Sequence, residues 1–415
     1  IEILQDWNFW EKEQAIGVKR TAYLQTMKKF TGSGQVLTIT GARRSGKSFL
    51  IKQLAKYLID TGVKKENILI INFEDLRWPK IDALRLQKIY EAYIEEFLPV
   101  GIVYIFLDEI QEVKNWEKWV RTTHELDKAK IIISGSNSNL LNSDLSTLLT
   151  GRHLDIIVYP LSFTEFLSFN KVNARPKTLF NQYFKCGGFP KAVIEKETGK
   201  EILMSIFGDI IERDIVKKHK IRREEKLKSL ANFYLSNISS LITFNKSGQF
   251  LGISESTTER FCSYFEDSYL LYFLKRYSAK VREQEKSPRK VYCVDFAMAN
   301  AVGFGTSGNL GKIAENMVFL ELKRRLSKNT FSDLFYWKDD LHREVDFLIQ
   351  QNHKTTNLIQ VCWNLADYKT REREIKSLKL AMEQTHCKNA IILCEESEEE
   401  EIEGVKVMPL WQWLL

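Results

Sequence analysis

The chain has 415 residues, of which 44% are hydrophobic, a length that accommodates two or three domains with separate cores. Its formal net charge of +7 is mildly basic, which permits a nucleic-acid partner without requiring one. The six cysteines are scattered without a C-x-x-C pair, which argues against a zinc ribbon or a disulfide framework. Because no apolar run approaches ~18 residues and the first thirty residues lack an apolar signal core, we expect a soluble cytosolic protein without a membrane span.

Short apolar runs alternate with longer amphipathic stretches between Val36 and Tyr159. Strands that are apolar throughout are buried on both faces, so this alternation predicts an α/β fold with a parallel sheet covered by helices. Residues 7–30, rich in Trp and Lys, are predicted to form a helix that docks on this sheet. The predicted strands are VLTIT, ILIINF, IVYIFLD, KIIISGS and LDIIVY.

The remainder of the chain divides by composition into three further regions. Residues 161–223 have helical patterns interrupted at CGGFPK, and they are predicted to form a helical lid or linker after the sheet domain of residues 1–160. In residues 224–295, a helix, a Gly-containing break and a second helix beginning at the pattern Ser256-x-x-Glu259 precede two β-like runs. Residues 296–415 read as a separate α/β domain, in which the Glu-rich run near 395–403 is predicted to be a solvated loop.

The two β-like runs of the third region are joined by a basic linker. Helices followed by a basic hairpin are typical of a winged helix, in which the hairpin contacts nucleic-acid phosphates. The alternatives are any small α+β module and a basic hairpin that is merely solvated or docked on the Glu-rich loop. The basic residues are Lys275, Arg276, Lys280, Arg282, Lys286, Arg289 and Lys290.

The segment VLTITGARRSGKSFLIKQL places a Gly-rich loop between a predicted strand and a predicted helix. Backbone N–H groups of such a loop and the positive end of the following helix converge on phosphate oxygens. Its lysine reaches the β- and γ-phosphates, where it also serves catalysis, and its Ser hydroxyl ligates Mg²⁺. The pattern therefore predicts a Mg·ATP site, with a plain Gly-rich turn as the alternative. The predicted nucleotide-binding residues are Gly41, Ala42, Arg43, Arg44, Ser45, Gly46, Lys47, Ser48 and Phe49.

An acidic pair follows the buried run IVYIFLD. The carboxyl ends of strands in an open α/β sheet form the edge where ligands bind, so Asp108 and Glu109 are predicted to lie beside the phosphate loop. Asp108 is assigned to the Mg²⁺ site and Glu109 to the role of general base for the attacking water. Helix capping by the pair is the alternative.

The next predicted strand ends in hydroxyl and amide groups. In P-loop proteins with a Glu after the acidic Asp, this strand lies between the other two, so Ser134, Ser136 or Asn137 would sense the γ-phosphate. We select Asn137, although Ser and Asn there also serve as helix N-caps. Arg152 precedes the fifth strand and is a candidate for contacting a γ-phosphate, its own or a neighbour's; an Arg at a helix C-terminus is the alternative.

Several motifs in order make the chain resemble a large family of bacterial and archaeal AAA-type ATPases that carry a carboxy-terminal domain of unknown function. The resemblance implies a P-loop NTPase sheet like that of AAA+ and STAND nucleotide switches, with ATP binding, ATP hydrolysis and a restriction-endonuclease-like tail. It also implies that Pro190, in the loop Gly187-Gly188-Phe189-Pro190, lies near the nucleotide base, although the loop is equally a helix break. The motifs are TGARRSGKS, INFED, FLDEIQEVKNWEKWV, ISGSNSNLL, TGRHLDIIVYPLSFTEFL, GGFPKAV, ERDI, ENMVFLELKRR, REVDFLI and IQVCW.

The implied nuclease-like tail lacks part of the usual catalytic set. Asp346 and Glu315 fit two of the acidic positions, but the adjacent strand carries Gln360 and Cys362 where an acid and a lysine are needed. Lys338 or Lys376 would have to supply the missing cation. We therefore expect the tail to be inactive as a nuclease.

Three functions remain in competition. The favoured one is an ATPase whose nucleotide state controls contacts between its domains or contacts with a partner. DNA is one of the candidate partners. The second is a switch or scaffold that binds ATP with slow turnover, and the third is an ATP-dependent nuclease. The intact Glu109 favours the first over the second, and the residues at 360 and 362 argue against the third.

Overall fold

The computed structural model describes residues 1–138, 140, 153–170, 175–303, 310–327, 331–396 and 399–415. The chain divides into two compact units, Ile1–Val158 and Tyr159–Leu415. Among the described residues, no helix combines the length and the apolar character needed to cross a membrane.

The first unit is built on a parallel sheet. Within its described part, five strands lie in the order β2-β3-β4-β1-β5, so β4 separates β1 from β3 as expected. This arrangement confirms the α/β prediction and the P-loop NTPase sheet. The strands are β1 (Val36–Thr40), β2 (Ile68–Asn72), β3 (Val103–Asp108), β4 (Ala129–Gly135) and β5 (His153–Ile157).

Helices cover both faces of this sheet because successive strand residues point to opposite sides. In β4, Ile131 and Ile133 pack in one core and Ile132 in the other. The helices α1 (Glu2–Gln5), α2 (Thr21–Thr31), α3 (Lys47–Asp60), α4 (Ala83–Phe97) and α5 (Trp116–Glu125) surround the sheet, with short 3-10 turns at Lys65–Asn67 and Ile110–Glu112. Side chains of α2 and α3 contribute to the core that contains Ile132, and those of α4 and α5 to the other.

The predicted helix over residues 7–30 is wrong for its first half, since residues 6–20 form neither helix nor strand. Strand β2 is an edge strand, and its backbone groups need partners. The Asn8 side chain supplies them: its Oδ1 accepts from the Ile70 N–H at 2.7 Å and its Nδ2 donates to the Ile70 carbonyl at 2.9 Å. The Trp10 indole donates to the Ile68 carbonyl at 2.9 Å. Side-chain pairing with the sheet edge thus replaces the helix.

The second unit begins with helices, as the sequence predicts. They are Phe163–Asn170, Pro176–Cys186, Pro190–Ile194 and Gly199–Asp209, the last continuing as a π-helix over Ile210–Lys217, with a 3-10 turn at Lys196–Thr198. The break between Cys186 and Pro190 lies in the predicted Gly-rich loop.

Helices and an antiparallel sheet alternate in residues 224–302. The helices are Glu224–Ser236, Phe244–Leu251, Glu255–Asp267, Val281–Lys286 and Phe296–Val302, and the strands are β6 (Leu241–Ile242), β7 (Leu271–Leu274) and β8 (Arg289–Cys293), in the order β6-β8-β7. The predicted break is therefore occupied by the helix Phe244–Leu251. The predicted cap at Ser256 is also wrong: the N-cap is Ser254, whose hydroxyl accepts from the Thr257 N–H at 3.3 Å.

The C-terminal region forms a separate mixed sheet. Within the described residues the order is β13-β14-β12-β11-β10-β9, with β11, β12 and β14 parallel and the other pairs antiparallel. The helices Leu310–Leu326, Tyr368–Thr385 and Leu410–Trp413 accompany the strands β9 (Ser332–Lys338), β10 (Glu344–Gln351), β11 (Lys354–Val361), β12 (Ala390–Cys394), β13 (Glu400–Ile402) and β14 (Val405–Pro409).

Part of the Glu-rich run is a strand and not the predicted loop. Glu400–Ile402 pairs with β14 through a turn in which Glu403 and Gly404 have φ of 50° and 81°. Glu400 and Glu401 are exposed on this edge strand, where charge is tolerated and discourages pairing with another chain.

Candidate functional site

The phosphate loop lies between β1 and α3, at the edge where the parallel strands end. Gly41 has φ +141°, and a Cβ added there would lie 2.2 Å from the Val158 carbonyl oxygen, so a side chain is excluded. Gly46 is the N-cap of α3, with φ 106° and no side-chain cap. The first N–H groups of α3 are thereby left available to an anion at the helix N-terminus.

The loop lysine is turned inward. Lys47 is 3% exposed, and its Nζ donates to the carbonyls of Gly41 at 3.0 Å and Ala42 at 3.2 Å. The same Nζ lies 3.6 Å from Oε1 of Glu109. The ammonium group is thus held where phosphate oxygens would approach the loop.

Asp108 is the last residue of β3, and its carboxylate accepts hydrogen bonds from two serine hydroxyl groups. It accepts hydrogen bonds from Ser134, at the end of β4, and from Ser48, in the first turn of α3. Burial raises the pKa of the Asp108 carboxyl to about 6, the nearby Glu109 charge adds to the rise, and the two serine hydroxyls oppose it. The Ser48 and Asp108 oxygens form a donor set of the hard type that Mg²⁺ prefers.

Glu109 follows in a left-handed conformation, with φ 56° and ψ 48°. A non-glycine residue in this region is strained, and such strain is concentrated at functional sites. Its Oε2 accepts from Nε2 of Gln111 at 2.6 Å and from the Ser136 N–H at 3.2 Å. Burial by itself would raise the pKa of Glu109, but Lys47 and Gln111 hold that pKa below its ordinary value. The carboxylate is therefore fixed and ionised.

The other predicted residues differ in how closely they approach this centre. Ser134 donates to Asp108, Ser136 donates its N–H to Glu109, and Asn137, 3% exposed, follows directly. Arg43 forms an ion pair with Glu74, a residue of the INFED motif, at 2.7 Å. Arg152 lies outside the described residues.

The remaining loop residues are described by exposure and backbone. Ala42 and Ser45 are buried, and the Ser45 N–H donates to the Ala42 carbonyl at 3.1 Å. Arg44 is exposed, with φ 62°. Phe49 is 50% exposed, and its ring lies against Gly17.

Two contributors to this site were missed from the sequence. Arg20, 3% exposed, donates from Nη1 to the Ser45 carbonyl at 2.9 Å, and its N–H donates to Oε1 of Gln53 at 3.1 Å. Gln111 fixes the Glu109 carboxylate. Neither belongs to a spacing pattern; the only sequence signal for Gln111 is its place two residues after Glu109.

Pro190 lies in the second unit, at the start of the helix Pro190–Ile194. The preceding loop is bound to a buried carboxylate: Oδ2 of Asp295 accepts from the N–H groups of Gly188 at 2.7 Å and Phe189 at 3.2 Å. Its Oδ1 accepts from the N–H groups of Ala297 and Met298 and so caps the helix Phe296–Val302. The placement of Pro190 near a nucleotide base stays a prediction.

Replacing Asp295 by alanine is expected to reduce the free energy of unfolding by about 2–4 kcal/mol, because four buried N–H groups lose their acceptor. The measurement is urea denaturation of the full chain, followed by circular dichroism. Asp367→Ala is the matched control: Asp367 caps Tyr368–Thr385 at the surface through one N–H, so its loss should cost about 1 kcal/mol. Equal effects of the two variants would contradict this account of the loop.

A second group of acidic side chains lies in the C-terminal sheet. Asp346 in β10 accepts from the Val361 N–H at 2.9 Å, and its own N–H donates to Oε1 of Gln360 at 3.1 Å. Glu315 and Asp346 both contact Lys290, which the sequence analysis assigned to the basic hairpin. Lys290 does lie in β8 of that hairpin, but only 2% of its side chain is exposed, so the predicted contact with nucleic-acid phosphates is wrong for this residue. Lys338 pairs with Glu344 at 3.1 Å, and Lys376 is exposed.

Comparisons with known proteins divide the chain into three matched regions. Residues 33–167 match a family described as an AAA domain. Residues 177–309 and 310–413 match two domains of unknown function, DUF8612 and DUF4143.

Two relatives are similar over nearly the whole chain. An uncharacterised protein of Haemophilus influenzae is 31% identical, covering 96% of this chain and 98% of its own length. An uncharacterised protein of Methanocaldococcus jannaschii is also 31% identical, with coverages of 92% and 88%. Among solved structures, a Walker-type ATPase of Pyrococcus abyssi aligns with 69% of this chain and 95% of its own, at 12% identity and a TM-score of 0.48.

Proposed function

Because the chain belongs to one family with the relatives from Haemophilus influenzae and Methanocaldococcus jannaschii, and carries an AAA domain, we propose that it binds Mg·ATP and hydrolyses the γ-phosphate bond. The observation that carries the proposal is the grouping of Lys47, Ser48, Asp108 and Glu109 at one edge of the parallel sheet. The experiment that tests it is ATP turnover by the purified chain in Mg²⁺, beside the Glu109→Gln variant.

The residues fit a magnesium-bound triphosphate. Ser48 and Asp108 would hold Mg²⁺, which when bound neutralises charge on the β- and γ-phosphate oxygens. The N–H groups at the start of α3 bind phosphate oxygens, and Lys47 exchanges its bonds to the Gly41 and Ala42 carbonyls for bonds to phosphate.

Glu109 acts as the base for the attacking water. Its carboxylate is ionised and is held by Gln111 and Ser136 close to Lys47. Movement of Lys47 to the phosphates removes the nearest positive charge from the carboxylate, which raises its basicity when the water must lose a proton. Asn137 and Arg152 are proposed to contact the γ-phosphate, in line with their positions in the sequence.

ATP is proposed to drive a change of contacts between domains or with a partner rather than chemistry on a second substrate. What supports this over a switch with slow turnover is the ionised, oriented Glu109, because a switch without turnover has no need of a base. The slow switch remains the alternative if turnover is absent.

We expect duplex DNA to bind weakly or not at all to the second unit. The winged-helix-like assignment of residues 224–293 stays a proposal, and the exposed face of the helix Glu255–Asp267 carries Glu255 and Glu259, which repel phosphates. In the hairpin, Lys275 and Arg289 pair with Glu285, and Lys280 pairs with Glu283.

Fluorescence anisotropy with a labelled duplex at low salt tests this expectation. Binding whose salt dependence decreases in an Arg282→Ala/Lys286→Ala variant would contradict it and assign nucleic-acid binding to the hairpin.

We also expect no DNA cleavage by the C-terminal region. Gln360 is a poor Mg²⁺ ligand, and burial raises the pKa of the Cys362 thiol to about 12, so this position supplies neither a thiolate nor a cation. Incubation with supercoiled and single-stranded DNA in Mg²⁺ or Mn²⁺, with and without ATP, should leave both substrates intact. Cleavage that is lost in Asp346→Ala would contradict the prediction.

A further inference from the structure

Three carboxylates and one lysine meet inside the second unit. Lys290 in β8 has a side chain that is 2% exposed, and its Nζ lies 2.7 Å from Oδ1 of Asp346, 2.7 Å from Oε1 of Glu344 and 3.0 Å from Oε1 of Glu315. The ammonium group donates hydrogen bonds to Glu315 and Asp346 and forms an ion pair with Glu344. The cluster connects a strand in the DUF8612 match with a helix and a strand in the DUF4143 match.

Two further side chains contact the acidic residues around Lys290. The Tyr292 hydroxyl also donates to Oε1 of Glu315, at 2.7 Å, and Lys338 pairs with the other oxygen of Glu344. Without Lys290 the cluster would contain the buried carboxylates of Glu315 and Asp346 beside the half-buried carboxylate of Glu344, an arrangement that is stable only with a cation or with added protons.

The three carboxylate oxygens lie slightly farther from Nζ than oxygen ligands lie from a calcium ion. Ca²⁺ binds oxygen ligands at about 2.3–2.6 Å, and the three carboxylate oxygens lie at 2.7, 2.7 and 3.0 Å from one point. A contraction of about 0.1–0.4 Å would bring all three oxygens to the upper end of the calcium–oxygen range. With the ammonium present, the point is occupied, and among the described residues no group of His, Cys, Asp or Glu side chains is set to hold a metal ion.

We propose that Lys290 is a built-in cation that occupies a divalent-cation site formed by Glu315, Glu344 and Asp346. In the native chain the ammonium excludes divalent ions and joins β8 to the C-terminal sheet. Removal of the ammonium leaves a site that takes Ca²⁺, with the three carboxylates as ligands. The inference does not depend on ATP binding or hydrolysis.

Thermal unfolding of the full chain without nucleotide, in EDTA or in CaCl₂, tests the proposal. Lys290→Ala should melt several degrees below wild type in EDTA and recover part of that loss in CaCl₂. The recovery of melting temperature in CaCl₂ should disappear in the double variant Lys290→Ala/Asp346→Asn. If calcium changes the melting temperature of wild type, the single variant Asp346→Asn should show the same change. Lys286→Ala, an exposed lysine close in sequence, is the matched control and should melt like wild type.

Two results would overturn the proposal. One is a calcium effect on wild type that Asp346→Asn removes, because the site would then already accept a metal. The other is a folded Lys290→Ala variant that does not respond to calcium, because the carboxylates would then be stabilised by protonation alone.

If Lys290→Ala does not fold, the test uses two other variants instead, the single variant Lys290→Met and the charge-balanced double variant Lys290→Met/Asp346→Asn. Lys290→Met/Asp346→Asn removes one positive and one negative charge, so it should be more stable than Lys290→Met. A double variant no more stable than the single one, or less so, would exclude the counter-ion role.

Discussion

Replacing Glu109 by glutamine is expected to reduce ATP turnover by about 10²–10⁴-fold while leaving Mg·ATP binding nearly unchanged, because a positioned base contributes a factor of this size. Glutamine keeps the shape of the side chain and its contact with the Ser136 N–H, but it cannot accept the proton of water. The measurement is phosphate release at saturating ATP, together with calorimetric titration of the nucleotide.

Glu112→Gln is the control for this variant, since Glu112 is exposed on the same 3-10 turn as Gln111 and is expected to have no effect. Turnover by Glu109→Gln equal to that of wild type would exclude Glu109 as the base. Gln111 would then be holding a carboxylate with only a structural role.

Replacing Lys47 by alanine is expected to abolish Mg·ATP binding or to weaken it by about 100-fold or more, because a buried ammonium makes charge-assisted bonds to phosphate. Lys47 donates hydrogen bonds to two loop carbonyls and lies close to Glu109. Calorimetric titration measures the affinity, and circular dichroism checks that the fold is intact.

Lys56→Ala is the matched control, since Lys56 lies on the same helix and pairs at the surface with Asp60 and Glu13. Its affinity for Mg·ATP should equal that of wild type. An unchanged affinity of Lys47→Ala for Mg·ATP would exclude the phosphate loop as the nucleotide-binding site.

The parallel sheet was predictable because β1, β2, β3 and β4 are short apolar runs that are buried almost throughout. The grouping of Lys47, Asp108 and Glu109 followed, since the carboxyl ends of parallel strands lie at one edge. Strand β4 was predicted to lie between β1 and β3, and the structure has this order.

Features that depend on tertiary contacts were not predictable. Residues 6–20 have the composition of a helix, but bonds from Asn8 and Trp10 to the edge strand β2 hold the segment in an irregular path. The helix Phe244–Leu251 is short and contains Gly248, so its sequence resembles a break. A cap at Ser254 and one at Ser256 have nearly equal local signals.

The partners of a charged side chain are the least visible feature in a sequence. Lys290 stands among basic residues and was grouped with them, although its charge is used inside the protein. Arg20 precedes the phosphate loop by more than twenty residues and reaches it only through the fold. In both cases the position along the chain gives no information on which side chain lies opposite.

The most direct test of the central claim is a single-turnover measurement with the chain in excess over ATP in Mg²⁺. The account predicts that bound ATP is converted to ADP and phosphate by wild type and that Glu109→Gln retains intact ATP at the same occupancy. Recovery of intact ATP from both chains would contradict hydrolysis and favour a nucleotide switch without turnover.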